Sequence, residues 1–250
     1  MKWRSLDESS SAEDVRPLRE ILAERKAGIA KYVPAEIQSI HARVVDELRE
    51  SGMASGTLSN GQVAPSFELK DQHGRVVKST EGLQQWPLVV CFFRGRWCPF
   101  CVGQLEAMNL MVTQIQDAGA SLVAISPQTV QQLFFMADQH RLRFPLLSDR
   151  GNQVAHRFGL VYQVPEYQQA VYRRAFINLP FANGDQSWQL PVPATYIIGR
   201  DSRILYAAVD PDYTERPEPA EILAQVRRIR NQGECPPARD RESGHSTNPD

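Results

Sequence analysis

The sequence predicts an α/β fold: a mixed central sheet flanked by helices, with a helical extension ahead of it. Three observations carry that expectation. Residues 87–93 (PLVVCFF) are the continuous apolar run of a strand buried on both faces. Residues 99–118 follow with apolar side chains at helical spacing. Beyond them strand-like and helix-like segments alternate, which implies βαβ units and a parallel core.

In chain order, residues 15–31 and 34–51 read as helices, with Leu18, Ile21 and Leu22, then Ile37, Ile40, Val44 and Leu48 at helical spacing. Lys31-Tyr32-Val33-Pro34 separates them, because the residue before a proline is pushed out of helical backbone. The Gly- and Ser-rich stretch 51–62 reads as a linker. Residues 66–70 and 76–78 read as short strands about the turn Asp71-Gln72-His73-Gly74. After the strand at 87–93, the helix at 99–118 presents Leu105, Met108, Met111, Val112 and Ile115 on one side and ends at Gly119. A strand is predicted at 121–126, a helix at 130–140, a strand at 144–147, and a short helix at 152–158 stopped by Gly159. Residues 161–190, with Pro165, Pro180 and Asn183-Gly184, read as an irregular excursion. A hairpin (194–198 and 204–209) and an amphipathic helix (219–230) close the pattern. The resulting division is an N-terminal helical extension at 1–55, an α/β domain at 56–231 with an insertion at about 161–192, and a polar, Pro-rich tail at 232–250, whose composition is that of a disordered segment. No internal repeat is present.

The totals restrict function. The chain has 250 residues, 42% hydrophobic and 23% charged, as an ordinary soluble globular protein does. A net charge of −1 gives no sign of a nucleic-acid or anionic-membrane partner. The first residues (MKWRSLDESSSAED) lack the apolar core of a secretory signal, and no apolar run approaches the roughly 18 residues of a membrane span. A cytoplasmic protein is expected. Its four cysteines, Cys91, Cys98, Cys101 and Cys235, are too few and too uneven for a disulfide scaffold.

The chemistry centres on Cys98 and Cys101. A strand that turns directly into a helix places the turn at the helix N-terminus, where unpaired N–H groups and the macrodipole favour an anion. A thiolate is such an anion. Pro99 occupies the position where a missing N–H costs nothing. Arg94 and Arg96 add positive charge, so Cys98 is expected to have a lowered pKa and to act as a nucleophile. Cys101, one helical turn on, is within reach of Cys98 for a disulfide, so the pair can cycle between dithiol and disulfide. Structural zinc needs four ligands, and the scattered histidines (His41, His73, His140, His156, His245) supply no second paired motif. Cys91 lies inside the apolar strand and reads as core; Cys235 lies in the tail, where a resolving role is open. Trp97 reads equally as a substrate-facing platform and as a partly buried aromatic. Asp149 is expected to cap the helix after it. Asp210, Asp212 and Tyr213 line the site or form a turn.

The segments APSFELKDQHGRVV (64–77), FFRGRWCPFC (92–101), LVAISPQT (122–129), FPLLSDRGNQVAHRFGL (144–160) and PVPATYIIGRDSRILYAAVDPDY (191–213) resemble the peroxiredoxin-like proteins of the alkyl hydroperoxide reductase and thiol-specific antioxidant (AhpC/TSA) group, on a thioredoxin-like fold. The resemblance spans about residues 62–230. It implies an antioxidant oxidoreductase without metal, flavin or nucleotide, reduced by an external thiol of thioredoxin or glutathione type. The group carries Pro-x-x-x-Thr-x-x-Cys. Here Arg94 stands at its Pro, Cys98 at its Thr and Cys101 at its peroxidatic cysteine, and the place of its catalytic Arg reads Val192-Pro193-Ala194. On this alignment Cys101 attacks a hydroperoxide and Cys98 closes the disulfide.

Thioredoxin-like reductases are the other resemblance. Trp97-Cys98-Pro99-Phe100-Cys101 matches their Trp-Cys-x-x-Cys, and Val192-Pro193-Ala194-Thr195 matches their cis-proline loop, with Phe92 where they hold a buried acid. On this alignment Cys98 attacks, Cys101 resolves, and the substrate is a protein disulfide. Pro193 in place of an Arg tips the reading toward thiol–disulfide exchange. Trp97, Arg94, Arg96, Pro193 and Thr195 are the expected substrate contacts. A binding or redox-sensing module without turnover is the third reading. The N-terminal helices either cover the fold or pair with a second chain, giving a homodimer.

Overall fold

The computed structural model of the chain describes residues 16–234. The tail expected at 232–250, but for its first residues, lies outside them, and so does Cys235.

Nine strands and nine α-helices alternate among the described residues. In chain order these are α1 (Leu18–Tyr32), α2 (Ala35–Glu50), β1 (Glu68–Asp71), β2 (Val76–Lys78), α3 (Ser79–Gln85), β3 (Leu88–Phe92), α4 (Pro99–Asp117), β4 (Ser121–Ser126), α5 (Val130–Gln139), β5 (Leu146–Ser148) and α6 (Gln153–Arg157). They continue with β6 (Val161–Gln163), α7 (Glu166–Arg174), α8 (Leu179–Asn183), β7 (Gln189–Pro191), β8 (Ala194–Ile198), β9 (Ile204–Val209) and α9 (Pro219–Ile229).

The main sheet has seven strands in the order β2-β1-β5-β4-β3-β8-β9. β3, β4 and β5 run parallel, and the strands on either side of them run antiparallel, so the sheet is mixed. All five residues of β3 are buried, which is why that strand is apolar without alternation. Its register with β8 pairs Cys91 with Thr195 and Phe92 with Ala194. Because side chains alternate across a strand, Val89, Cys91 and Phe93 face the core beneath α4, α5 and α9. Val90 and Phe92 face the opposite layer, where Phe92 packs on Phe158 and Tyr196.

Three segments differ from expectation. Residues 51–62 are not a free linker: Leu58 donates to the Phe158 carbonyl (3.1 Å) and Gly61 to that of Ile204 (2.8 Å). The Gly56 carbonyl comes so close to Gly159 (φ +73°) that a Cβ there would lie 2.3 Å from the oxygen. The excursion at 161–190 is ordered into α7, α8 and a two-stranded β6–β7 sheet, built about the buried side chains of Tyr162, Val164, Tyr172 and Leu190. Residues 79–85, with Gly82 and two glutamines, give little periodic signal yet form α3, held by Phe67 N–H donating to Ser79 Oγ (2.9 Å).

The extension covers its own chain. Leu18, Leu22 and Val45 belong to the same buried cluster as Leu105, Met108 and Ile222. Arg25 donates to the Pro99 carbonyl in the first turn of α4 and pairs with Glu106 at 3.0 Å, and Glu106 also meets His140 Nδ1 at 2.9 Å. Pro17 gives α1 no side-chain cap, so the Leu18 and Arg19 amides donate instead to the carboxylate of Glu218, both at 2.9 Å.

Candidate active site

The loop from β3 to α4 sets the two sulfurs. Cys98 is the N-cap of α4, in extended backbone (φ −96°, ψ 110°), and Pro99 takes the first helical position. The Cys98 amide donates to the Gly95 carbonyl (3.1 Å). Gly95 has φ +152°, and a Cβ there would lie 2.7 Å from Trp97 Nε1 and 2.9 Å from Gln128 Cδ. Only glycine accommodates both that backbone and that approach. Cys98 and Cys101 are free thiols, both fully buried.

Each sulfur has its own guanidinium. Arg94 Nη2 lies 3.2 Å from Cys98 Sγ, and Arg216 Nη2 lies 3.6 Å from Cys101 Sγ. Arg94 is caged by aromatic groups: it donates to the Tyr172 hydroxyl (3.3 Å), and its Cζ lies 3.7 Å from the Tyr213 ring centroid and 5.1 Å from that of Trp97. Arg216 Nε donates to Gln104 Oε1 (2.8 Å), and Gln104 Nε2 donates to Thr195 Oγ1 (3.1 Å).

The electrostatics separate the thiols. Burial alone would raise Cys98, but the hydrogen bond from the Cys101 thiol and the charges of Arg94 and Arg216 hold it well below the usual thiol range. Burial, and then the hydrogen bond and charge of Cys98, push Cys101 well above that range, against the two guanidiniums. These influences favour one thiolate and one thiol in the pair, with the charge on Cys98. Burial pushes the Cys91 thiol up to about 12, so it remains a packed neutral group.

A cavity of about 640 Å³ opens beside this pair. Its floor includes Arg94, Trp97, Pro99 and Phe100, and α1 and α2 supply the wall above them, His41 included. The Trp97 and Tyr172 rings meet at 5.2 Å. Burial, and then the charge of Arg94, lower His41 from 6.5 to about 4, so it is neutral. Its Nδ1 meets Gln168 Nε2 at 3.1 Å; with the amide donating, the ring proton is assigned to Nε2.

Of the expected substrate contacts, Arg94 and Trp97 lie at this cavity. Arg96 does not: its amide is tied to Gln128 Oε1 (2.8 Å), and its exposed guanidinium turns outward to Gln139 on α5 (3.3 Å). Pro193 and Thr195 line a separate recess of about 300 Å³ with Tyr206 and Arg216. The strand register sets Thr195 opposite Cys91 beneath α4, where its hydroxyl serves Gln104 rather than the cavity. No cis peptide occurs among the described residues, so the bond before Pro193 is trans and the cis-proline expectation is corrected. Tyr213 and Asp212 line the cavity. Asp149 accepts the amides of Val154 (2.9 Å) and Ala155 (2.9 Å) in the first turn of α6.

His41, Tyr172 and Arg216 carried no sequence signal. Tyr172 and Arg216 stand 78 and 115 positions from the Arg94 and Cys101 they meet, and His41 lies on α2, all in segments whose patterns mark only helix or loop. Among the described residues, no group of three or more His, Cys, Asp or Glu is placed to hold a metal, and no helix is long and apolar enough to cross a membrane.

Known proteins share this frame. The wheat (Triticum aestivum) chloroplastic peroxiredoxin Q is 34% identical over 110 residues, which is 44% of this chain and 50% of that protein. Peroxiredoxin Bcp of Escherichia coli K12 is 32% identical over 103 residues, 41% of this chain and 65% of that one. The chain thus matches about half to two thirds of these relatives' length. The crystal structure of peroxidoxin BcpB from Mycobacterium tuberculosis superposes with a TM-score of 0.55 at 23% identity, covering 69% of this chain and 98% of that one, so the two share the thioredoxin fold. The AhpC/TSA family model matches residues 60–207, more than half of the sequence: the chain belongs to the AhpC/TSA family.

Proposed function

We propose that the protein is a thiol-dependent antioxidant oxidoreductase that reduces small hydroperoxides, with Cys98 as the attacking thiolate and Cys101 as the resolving thiol. The observation that carries this reading is the Arg94–Cys98 contact of 3.2 Å at the N-terminus of α4, with the thiol held well below its usual range. The peroxiredoxin names of its relatives support the class of reaction. The peroxiredoxin alignment gives the attack to Cys101 and the thioredoxin alignment gives it to Cys98; the raised pKa of Cys101 supports the second assignment.

The Cys98 thiolate attacks the terminal oxygen of the hydroperoxide. The S–O bond forms as the O–O bond breaks; the alkoxide leaves and takes a proton from water, and the hydroxyl stays as a sulfenic acid. Cys101 then attacks that sulfur, water leaves, and the disulfide closes. One external dithiol of thioredoxin type, or two thiols of glutathione type, return two electrons and two protons.

Burial of both sulfurs, and α1 and α2 over the neighbouring cavity, favour a small oxidant over a protein disulfide. A small disulfide is the second reading, because the same thiolate at a helix N-cap is a competent nucleophile toward sulfur. Stopped-flow oxidation by hydrogen peroxide tests the assignment. Cys98→Ser is expected to abolish the reaction, and Cys101→Ser to retain one turnover that leaves a sulfenic acid on Cys98. Sulfenic acid on Cys101 in Cys98→Ser protein would invert the roles. A wild-type protein that turns over a small disulfide but not peroxide would select the second reading.

A further inference from the structure

Arg94 is 3% exposed, and among the described residues no carboxylate pairs with it. Its contacts include the Tyr172 hydroxyl, the faces of Tyr213 and Trp97, and Cys98 Sγ, and the buried Tyr162 hydroxyl also interacts with it. A buried cation needs a counter-charge, and the thiolate of Cys98 is the one in place. The cavity's other cations are matched at its rim: Arg49 meets Asp46 (3.7 Å) and Asp212 (3.6 Å), and Lys26 meets Glu215 (4.0 Å). Arg94 Nε is buried without an acceptor.

Closing the Cys98–Cys101 disulfide removes that thiolate. Arg94 then keeps its charge on the cavity floor with its balancing anion gone. The walls above it are apolar, among them Ile29, Val33, Ile37 and Ile177, and the volume of about 640 Å³ suits a ligand of moderate size. Neutral His41, its Nδ1 engaged by Gln168, offers an Nε2–H donor at the same cavity.

We propose that this cavity is a redox-linked site for an amphipathic carboxylate, which binds the disulfide form through Arg94 and is refused by the thiolate form. The proposal rests on the dithiol–disulfide cycle described above. The carboxylate takes the place of the thiolate as partner of Arg94, and its apolar body lies between α2 and Phe100. Inorganic anions lack the apolar body, and neutral lipids lack the charge. Linkage is reciprocal: a ligand that prefers the disulfide form makes that form harder to reduce. The site would thus hold the protein oxidised while such an amphiphile is abundant.

The test is calorimetric titration of the full chain with decanoate, and with decanol as the uncharged control. The protein is taken in the dithiol form and after oxidation by hydrogen peroxide, with the Cys98–Cys101 disulfide verified by mass spectrometry. Decanoate is expected to bind the disulfide form about tenfold tighter or more. Decanol is expected to show no such preference. Cys98→Ala removes the thiolate without oxidation, and is expected to bind decanoate as the disulfide form does. Equal decanoate affinity in both redox forms, binding to neither, or the same preference for decanol would overturn the proposal. If no disulfide forms, the catalytic reading fails. The Cys98→Ala arm still decides the anion site: affinity no higher than in wild-type dithiol protein overturns it.

Discussion

Replacing Arg94 tests the centre of the electrostatic reasoning. Its Nη2 donates to Cys98 Sγ at 3.2 Å, with Cys98 fully buried and Arg94 3% exposed. A hydrogen bond to a charged group in such a setting contributes about 1.5–3 kcal/mol. One pKa unit corresponds to about 1.4 kcal/mol. Arg94→Met is therefore expected to raise the Cys98 pKa, the thiolate losing about 1.5–3 kcal/mol of stabilisation. Arg94→Lys keeps the charge but loses the planar fork that spans Cys98 and Tyr172, and is expected to raise it by about half as much. The assay is the ultraviolet absorbance of the thiolate as a function of pH, with Cys98→Ala subtracted and circular dichroism to verify the fold. The titration is the decisive readout, because a thiol starting well below its usual range stays ionised at neutral pH after a modest rise. A midpoint unmoved in folded Arg94→Met protein would refute the reasoning and leave the lowering to Cys101 and the helix N-terminus.

Three further outcomes follow from particular contacts. His41 has a folded pKa of about 4 against an ordinary 6.5, so the unfolded chain binds more protons between those values. Stability is therefore expected to fall on acidification from about 6.5 to about 4, by up to about 3 kcal/mol, and His41→Phe should flatten that part of a denaturation-against-pH profile. Gly159→Ala forces a Cβ to 2.3 Å from the Gly56 carbonyl at φ +73° and should cost at least about 2 kcal/mol in urea unfolding; a neutral result would show that the 51–62 segment yields freely. Arg216→Leu removes the guanidinium 3.6 Å from Cys101 Sγ, which favours ionisation of both thiols, so the Cys98 sulfenic acid should persist about tenfold longer in single-turnover mass spectrometry, and a titration should find the Cys98 pKa raised as well.

The parts of this molecule governed by local chemistry were legible in the sequence. β3 showed itself because a strand buried on both faces must be apolar throughout, and α4 because Pro99 and Gly119 bracket a periodic run. The cysteine pair was legible for the same reason: a turn, a helix start and a nearby arginine are close in sequence. What was not legible depends on long-range pairing. Thr195 was expected at the substrate, but the β3–β8 register sets it beneath α4. Arg96 and Arg94 are indistinguishable by spacing, yet the Gly95 turn buries one and exposes the other. Arg216 reaches Cys101 from the loop after β9, and no spacing rule ties those two positions together. Tyr172 was hidden in a segment whose prolines and Asn-Gly pair masked two short helices.

The Glu218 carboxylate on the first amides of α1 has a consequence for how the chain is assembled. The partners are 200 residues apart, so this cap on α1 is completed only when nearly all of the described chain has left the ribosome. Until then α4 can form against β3 and β4 with its first turn unroofed. The newly made dithiol thus passes through a stage when bulky reagents reach Cys98 more easily than they do in the finished protein.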